Sequence, residues 1–453
     1  MKFMKRIFDP DMFNFQWESI DHNRYIVATY YIEDTLADQD WIEHLEQVQR
    51  MALEGSTSSW MRVKEDSGAV REKLTSKVLG YFEVPTPKAH TKAAVIQLGF
   101  PIDAWDINLN IPMMLLTISG NAFAFSDVVR LLDVYIPKEV ANRFKGPKFG
   151  IDGIRKKLGI YDRPLVLHII KPKMGMTPEE TANQVYQTGL GGADICKDDE
   201  MLADLENSPW EKRLEAVLKA TERVEKETGH KMLYMLSITD EVDRVVEKAR
   251  KAVSMGASGL LLAYSAGLST LRVMGEDEAV QAPILLHVSH MLSQIPTISF
   301  PVFSKLCRMC GADMMLSPCI WTSIPMVSPE EAARNYQVMV APMYHIKPTF
   351  PMPAAGMYPG LIPVLMEEFG DDQIIPAGGG MLGHKMGYTA GAKAWRQAID
   401  AVKAGKTLVE YAKDHAELRA AIEQWGIRKR PRTAWGYMGK DFHPSFADKN
   451  LEE

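Results

Sequence analysis

The sequence predicts an α/β protein, with a C-terminal (β/α)₈ TIM barrel and an N-terminal α+β domain. From about residue 160, short apolar runs alternate with helical segments, and eight such runs over roughly 250 residues are the content of a barrel. Polar or glycine-rich residues follow each run, at the strand ends where barrel enzymes build their active sites. The residues before this region lack the alternation and indicate a separate domain.

The N-terminal domain is predicted to span residues 1–145. The runs RYIVATYYI (24–32) and AAVIQLGFP (93–101) are rich in β-branched and aromatic residues, which is typical of strands. Between them, DQDWIEHLEQVQRMAL (38–53) has helical periodicity. This mixture indicates an α+β domain.

The barrel is predicted to span residues 146–425, and residues 426–453 form a C-terminal tail. The helices between the apolar runs include residues 209–229, 240–256, 328–340 and 390–405. The strand-like runs, in order, are LVLHIIKP (165–172), ADICKDDE (193–200), KMLYMLSITD (231–240), ASGLLLAYS (257–265), PILLHVSH (283–290), ADMMLSP (312–318), HIKPTFPMPAAG (345–356) and IIPAGGG (374–380).

Composition excludes several classes of protein. The net charge of −6 does not indicate a nucleic-acid groove, and no apolar run is long enough to span a membrane. The first residues lack the apolar core of a signal peptide, so we expect a cytoplasmic protein. Cys307 and Cys310 form a CxxC without a second ligand pair, which favours buried packing over a zinc or redox site.

The stretch GGADICKDDE (191–200) is a candidate metal site. Side chains alternate along a strand, so Lys197 and Asp199 point the same way, and Glu200 follows at the strand end. Carboxylates are ligands that Mg²⁺ prefers. A lysine joins such a site only as an anion, which a neutral amine becomes by reacting with CO₂ to form a carbamate. A structural lysine–aspartate ion pair or a solvated run of charges would also account for the stretch.

Two further strand ends carry candidate catalytic groups. Lys171 and Lys173 lie on one side of the first barrel run, and neighbouring lysines lower each other's pKa, so one could act as a general base. A solvated pair would have the same spacing. His287 ends the fifth run and is a candidate proton shuttle, although a lone histidine is more often a core residue.

Glycines end the last two barrel runs. Gly356 closes the seventh run, and Gly378, Gly379 and Gly380 close the eighth. In barrels, the loops after these strands commonly bind phosphate through backbone N–H groups, and glycine lets the backbone approach closely. We therefore expect a phosphorylated small molecule as substrate.

Together these motifs resemble the ribulose-bisphosphate carboxylase (RuBisCO) large-chain family. GGADICKDDE resembles the family's carbamylated-lysine signature, and IIKPKMG resembles its first barrel-strand motif. GNAFAF (120–125), GPKFGIDGIRKKLG (146–159) and GGGMLGHKMG (378–387) are also similar. The resemblance covers about residues 25–425 and implies a ferredoxin-like fold for the N-terminal domain.

The resemblance also implies roles for individual residues. Lys171 would be the base that removes the proton next to the keto carbon, Lys173 would stabilise the enolate, and His287 would lie near the reacting carbons. The Mg²⁺ ligands would be carbamylated Lys197, Asp199 and Glu200, and Gly356, Gly379 and Gly380 would hold a phosphate. Glu54, Trp60 and Asn121 would come from the neighbouring subunit, which makes a homodimer with shared active sites the expected unit.

Departures from the carboxylases shape the expected reaction. The carboxylases have a histidine at the end of the sixth strand, where this chain has Leu316, and a mobile lysine in the next loop, where residues 317–331 contain none. CO₂ capture should therefore fail, and a second phosphate would meet an apolar surface. This profile resembles the RuBisCO-like proteins (form IV).

The function expected from that profile is Mg²⁺-dependent enolisation or isomerisation of a phosphorylated ketose. A methylthio-pentose monophosphate of sulfur salvage fits best, because a methylthio tail suits a pocket lined by Met and Leu. A second hypothesis is a decarboxylase or hydrolase of a phosphorylated 3-oxo sugar acid, of the 3-oxo-isoapionate-4-phosphate type. A genuine ribulose-bisphosphate carboxylase and a non-catalytic binding protein are the third and fourth hypotheses.

Overall fold

The chain divides into two compact units in the computed structural model. The structure describes residues 12–13, 18, 20–35, 41–57, 65, 67–105, 109–202, 204–288, 297–322 and 327–429. One unit contains the described residues up to 144 together with residues 297–303. The other contains residues 145–288 and the described residues from 304 onward.

The first unit is built on a four-stranded antiparallel sheet. Its strands lie in the order β2-β3-β1-β4, as in ferredoxin-like domains. Its elements are β1 (Tyr25–Thr35), α1 (Trp41–Glu54), α2 (Gly68–Leu74), β2 (Lys77–Val84), β3 (Thr91–Pro101), α3 (Ile111–Ser119), β4 (Val128–Tyr135) and α4 (Lys138–Ala141). The predicted α+β class is confirmed.

Local sequence explains the elements of this unit. In β1, burial largely alternates along the strand, and Tyr30 and Ile32 lie on the buried face. α3 begins after Asn110, whose side chain accepts a hydrogen bond from the backbone N–H of Met113. Residues 297–299 join this unit through two backbone hydrogen bonds to Leu131. The Leu131 N–H donates to the Thr297 carbonyl oxygen at 2.7 Å, and the Ser299 N–H donates to the Leu131 carbonyl oxygen at 3.0 Å.

The second unit is an eight-stranded parallel barrel with helices between its strands. The strands are β5 (Leu165–Ile169), β6 (Ile195–Lys197), β7 (Leu233–Ser237), β8 (Gly259–Ala263), β9 (Ile284–His287), β10 (Met314–Pro318), β11 (Phe350–Ala354) and β12 (Ile374–Ala377). The helices are α5 (Gly150–Leu158), α6 (Pro178–Leu190), α7 (Trp210–Thr228), α8 (Val242–Ser254), α9 (Leu268–Glu276), α10 (Phe300–Met309), α11 (Pro329–Val340), α12 (Ile362–Phe369), α13 (Gly379–Leu382), α14 (Tyr388–Lys403), α15 (Leu408–Tyr411) and α16 (Ala416–Trp425). Of α10, the residues up to 303 are counted with the first unit and the rest with the second.

The barrel closes nearly completely. Hydrogen-bonded neighbours run in the order β12-β5-β6-β7-β8-β9-β10-β11, and β11 lies beside β12. The strands are short and almost entirely buried, because a parallel barrel is covered on both faces. Parallel register brings the carboxyl ends of all eight strands to one face. The predicted barrel is confirmed, and its candidate site residues are brought to this face.

Helix α6 illustrates how the chain sets the helices against the barrel. It begins with a reciprocal cap, in which the Thr177 side chain accepts from the backbone of Glu180 and the Glu180 side chain accepts from the backbone of Thr177. Near its end, a Cβ at Gly191 would lie 2.4 Å from the carbonyl oxygen of Thr389, so only glycine lets the two segments pack this closely. Among the described residues, no helix is long and apolar enough to cross a membrane.

Candidate active site

A cavity of about 620 Å³ opens at the carboxyl ends of the barrel strands. This volume is within the usual range for small-molecule sites. Four charged or titratable side chains line it on the β5, β6 and β9 side, and glycine loops line it on the β11 and β12 side. The lining residues are Ile169, Lys171, Lys173, Glu200, His287, Leu316, Ala354, Ala355, Gly356, Met357, Tyr358, Pro376, Gly378, Gly379, Gly380, Gln424 and Trp425.

At the end of β6, three consecutive charged side chains point in two opposite directions. Asp198 points into the wall, where its carboxylate accepts hydrogen bonds from Tyr234 Oη at 2.7 Å and the Ser237 N–H at 2.9 Å. It also pairs with the fully buried guanidinium of Arg213 at 3.2 Å. Lys197 and Asp199 take the opposite direction and lie fully buried beneath the cavity wall.

Two lysines and two carboxylates meet on this side of the barrel. The ammonium of Lys171 forms a close ion pair with the carboxylate of Asp199. Lys197 Nζ donates to the carbonyl oxygen of Asp198 at 2.8 Å and lies 3.4 Å from Glu200 Oε2. The other carboxylate oxygen of Glu200 lies 3.3 Å from His287 Nε2. These side chains form two ion-paired groups, Lys171 with Asp199 and Lys197 with Glu200 and His287. The charges of the two groups act on one another, and together they are called the charge cluster.

Burial and charge act in opposite directions on the ionisation of this cluster. Burial lowers the pKa of Lys197, although the neighbouring carboxylates of Glu200 and Asp199 favour the ammonium. For Glu200, burial acts to raise the pKa, but the charges of Lys197 and His287 prevail and hold it at about 2. Glu200 is therefore anionic, and the neutral amine of Lys197 becomes more accessible than in an exposed lysine.

The two candidate catalytic lysines have different surroundings. Lys171 is half-buried and reaches the charge cluster through Asp199. Lys173 is exposed, and its Nζ lies 3.7 Å from the sulfur of Met201. Both side chains still border the same cavity.

The backbone of Lys171 is held by a side chain that the sequence motifs do not indicate. Gln184 of α6 accepts a hydrogen bond from the Lys171 N–H at 3.2 Å and donates one to the Lys171 carbonyl at 2.7 Å. Its oxygen also lies 3.0 Å from Nε2 of the fully buried His168. The signal in the sequence is a row of polar residues, Thr181, Gln184 and Thr188, on the buried face of α6.

The loops after β11 and β12 touch through their backbones. A Cβ at Gly380 would lie 2.0 Å from the carbonyl oxygen of Met357, and one at Gly391 would lie 2.0 Å from that of Met381. Trp395 fixes this arrangement by donating its indole N–H to the carbonyl oxygen of Gly380 at 3.1 Å. Ala355 has a φ of 86° and Gly356 a φ of 59°. Both residues thus adopt a left-handed conformation, which is strained for alanine.

The sequence predicts that Met314, Met315, Leu316 and Pro318 form the apolar side of the pocket, but one of the four borders the cavity. Leu316 lines the cavity, whereas Met314, Met315 and Pro318 are buried in β10 and do not border it. Met357, Tyr358 and Trp425 enlarge the apolar and aromatic surface instead. Trp425 comes from α16, and nothing in its local sequence indicates that this helix ends beside the barrel mouth.

The remaining candidate residues belong to the first unit. Glu54 is half-buried at the end of α1, and Asn121 is exposed at the start of a short 3₁₀ turn. Trp60 lies outside the described residues. Their assignment to a site shared between subunits stays a prediction. Within the described part of the chain, no three His, Cys, Asp or Glu side chains cluster as a ready metal site, so the predicted metal site depends on Lys197 as its third ligand.

The sequence is similar to proteins of known family over most of its length. The catalytic-domain profile of the ribulose bisphosphate carboxylase large chain matches residues 150–425, and the N-terminal-domain profile matches residues 16–140. A ribulose bisphosphate carboxylase-like protein from Archaeoglobus fulgidus is 37% identical over 90% of this chain and 94% of its own length.

Relatives with different activities share this likeness. A 2,3-diketo-5-methylthiopentyl-1-phosphate enolase from Bacillus licheniformis is 33% identical over 88% of this chain and 98% of its own length. The crystal structure of the octameric carboxylase/oxygenase from Pyrococcus horikoshii superposes with a TM-score of 0.82 at 29% identity, covering 91% of this chain and 97% of that one. Fold and sequence together lead to one conclusion: the chain belongs to the ribulose bisphosphate carboxylase large-chain family.

Proposed function

We propose that the chain catalyses Mg²⁺-dependent enolisation of a phosphorylated ketose and does not fix CO₂. The observation that carries this proposal is the charge cluster of Lys171, Lys197, Asp199, Glu200 and His287 at one side of the cavity. Proton removal next to a carbonyl needs a base and a positive environment for the developing enolate. This cluster supplies both within one wall.

The residues of the cluster fit a magnesium ion. Asp199 and Glu200 offer carboxylate oxygens, which suit Mg²⁺, and both now face ammonium groups that occupy the place of a cation. Lys197 would become the third ligand after its neutral amine reacts with CO₂, forming a carbamate and releasing a proton. When bound, the ion would polarise the substrate carbonyl as a Lewis acid.

The chain's own groups would carry the proton transfers. Lys171 would accept the α-proton of the substrate at its Nζ, and the exposed ammonium of Lys173 would face the enolate oxygen. His287 lies beside Glu200 at the cavity surface and would return a proton to the product. The loops at Gly356 and Gly378–Gly380 would hold a single phosphate.

The substrate that suits this cavity has one phosphate and an apolar far end. Leu316 lines the cavity and would contact such a tail, and the loop after β10 contains no lysine that could position CO₂. The relatives that act on a methylthiopentyl phosphate support a substrate from methionine salvage. We therefore propose a methylthio-pentose monophosphate as the substrate class.

Proton exchange in D₂O tests this function. The protein is preincubated with Mg²⁺ and bicarbonate and given 5-methylthioribulose-1-phosphate or 2,3-diketo-5-methylthiopentyl-1-phosphate, and ¹H and ³¹P NMR follow the α-proton. We expect loss of the α-proton signal with wild-type protein and no exchange with Lys171→Met. Lys385→Met, which removes an exposed lysine paired with Glu423, is the matched control and should exchange normally.

Three other outcomes would contradict parts of this proposed function. Exchange that persists in Lys171→Met would remove Lys171 from the role of base. Absence of exchange with both substrates, together with CO₂ release from a phosphorylated 3-oxo sugar acid, would favour the decarboxylase hypothesis, because the same residues would stabilise the same enediolate. Fixation of labelled CO₂ onto ribulose bisphosphate would contradict the exclusion of carboxylation.

A further inference from the structure

We infer that Gln184 is a positioning residue for Lys171, and that it acts by holding the backbone from which the catalytic amine projects. The inference rests on the proposed function, in which Lys171 is the base. Gln184 does not border the cavity, and it is 2% exposed. Any effect on the reaction must therefore be indirect. Of the described residues that its side chain contacts by hydrogen bonds, Lys171 borders the cavity, whereas His168 and Met176 do not.

Lys171 lies just beyond the part of the strand that the barrel itself holds. The last barrel hydrogen bond before it runs from the Ile170 N–H to the Lys197 carbonyl oxygen at 3.1 Å. The next residue, Pro172, has no N–H to donate. Both polar groups of the Lys171 backbone are instead satisfied by the Gln184 amide, at 3.2 Å and 2.7 Å. One side chain thus fixes the direction in which the lysine leaves the barrel.

The orientation of the Gln184 amide is fixed by its own partners. Its oxygen must face the Lys171 N–H, and its NH₂ group must face the Lys171 carbonyl. The same oxygen accepts from Nε2 of His168, so His168 Nδ1 is left to accept from the hydroxyl of Thr188 at 3.0 Å. Burial keeps this histidine neutral by lowering its pKa to about 4. A chain of buried groups therefore runs from Thr188 to the backbone of Lys171.

The helix that carries Gln184 is itself anchored at its start. The reciprocal cap between Thr177 and Glu180 fixes the first turn of α6, and Gln184 follows one turn later. The hydrogen bonds to Lys171 consequently connect a fixed helix to the end of β5. Displacement of a reacting group by about 1 Å can slow a reaction on the order of 100-fold, so loss of this connection should affect the chemical step.

The test compares two buried glutamines. Gln184→Met keeps the size of the side chain and removes both hydrogen bonds to Lys171. Gln373→Met is the matched control, because Gln373 is fully buried and also donates to backbone carbonyls, those of Leu365 and Gly370, but does not border the cavity or contact Lys171. Rates of α-proton exchange are measured for each variant over a range of substrate concentrations.

We expect Gln184→Met to lower kcat by roughly 10- to 100-fold with KM within about twofold of wild type, whereas Gln373→Met keeps both. Gln184→Glu keeps the acceptor for the Lys171 N–H and loses the donor to the Lys171 carbonyl, so its kcat should lie between those of wild type and Gln184→Met. If Gln184→Met does not fold, the kcat of Gln184→Glu tests whether Gln184 positions Lys171. Wild-type kcat in a folded Gln184→Met or in Gln184→Glu, or equal losses in Gln184→Met and Gln373→Met, would overturn the inference. Absence of exchange in wild type and Gln373→Met alike would instead remove the proposed function, and the inference with it.

Discussion

Asp198 should be a large contributor to stability although it lies between two candidate metal ligands. We consider the substitution Asp198→Asn, which keeps the shape of the side chain and removes its charge. The carboxylate is fully buried, and so is the guanidinium of Arg213 that it neutralises. Tyr234 and the Ser237 N–H also donate to it.

The magnitude follows from the charge that would be left behind. Removal of one partner from a buried ion pair costs about 3–5 kcal/mol, because the other charge stays buried without compensation. Asparagine can still accept from Tyr234 or Ser237, which places the expected loss near the lower end, about 3 kcal/mol. The free energy of unfolding is measured by equilibrium urea denaturation, followed by tryptophan fluorescence.

Two further variants serve as controls for the buried charge. Asp371→Asn removes the same charge from a partly exposed pair with Lys403 and should cost less than about 1 kcal/mol. Arg213→Met in the Asp198→Asn background should recover part of the loss, since no charge then stays buried alone. A cost for Asp198→Asn no larger than that for Asp371→Asn would show that water or a rearranged partner compensates Arg213, and would refute the expected loss of about 3 kcal/mol.

Three further predictions concern strain, pH and thiols. Ala355→Gly should stabilise the protein by about 1 kcal/mol in the same denaturation assay, because it relieves a left-handed alanine, whereas Ala354→Gly in the regular β11 should destabilise it. His168 has a folded pKa of about 4, below its unfolded value, so its contribution is complete above the unfolded pKa near 6.5 and is lost as pH falls towards 4. The free energy of unfolding should therefore fall less between neutral and acid pH in His168→Gln than in wild type, by on the order of 3 kcal/mol. A difference between the urea midpoints at pH 7 and pH 4.5 that equals the wild-type difference would contradict this. The four cysteines are buried and unpaired by disulfides, so a thiol reagent should label them only as fast as the protein unfolds; labelling within seconds in native buffer would refute their burial.

Much of the barrel is readable from the sequence because its strands are short and buried on both faces. The predicted runs at 165–172, 283–290 and 374–380 contain β5, β9 and β12. β9 ends at His287, and β12 ends directly before Gly378. The helix predicted at 209–229 matches α7 to within a residue at each end, because Gly229 adopts the left-handed conformation that stops it.

The candidate site was only partly predictable, for a physical reason. Alternation along a strand gives the shared direction of Lys197 and Asp199, and the structure brings both to the same cluster. It does not reveal groups that reach the site from the helices, such as Gln184 on α6 or Trp425 on α16. Their positions depend on how the helices pack against the barrel. The polar row on α6 indicates that Gln184 is buried but not which residue it holds, and the end of α16 carries no local signal of its packing.

The contacts between glycines and carbonyls beside the cavity limit how this protein can be redesigned. Gly380 packs against the carbonyl oxygen of Met357, and Gly391 packs against that of Met381. Neither contact leaves room for a methyl group. Randomising these positions would yield mostly unfolded protein. New substrate preferences are more accessible through Leu316 and Ala354, whose side chains border the same space from β10 and β11. A mutant library restricted to those positions would vary the wall of the pocket and leave the glycine backbone contacts unchanged.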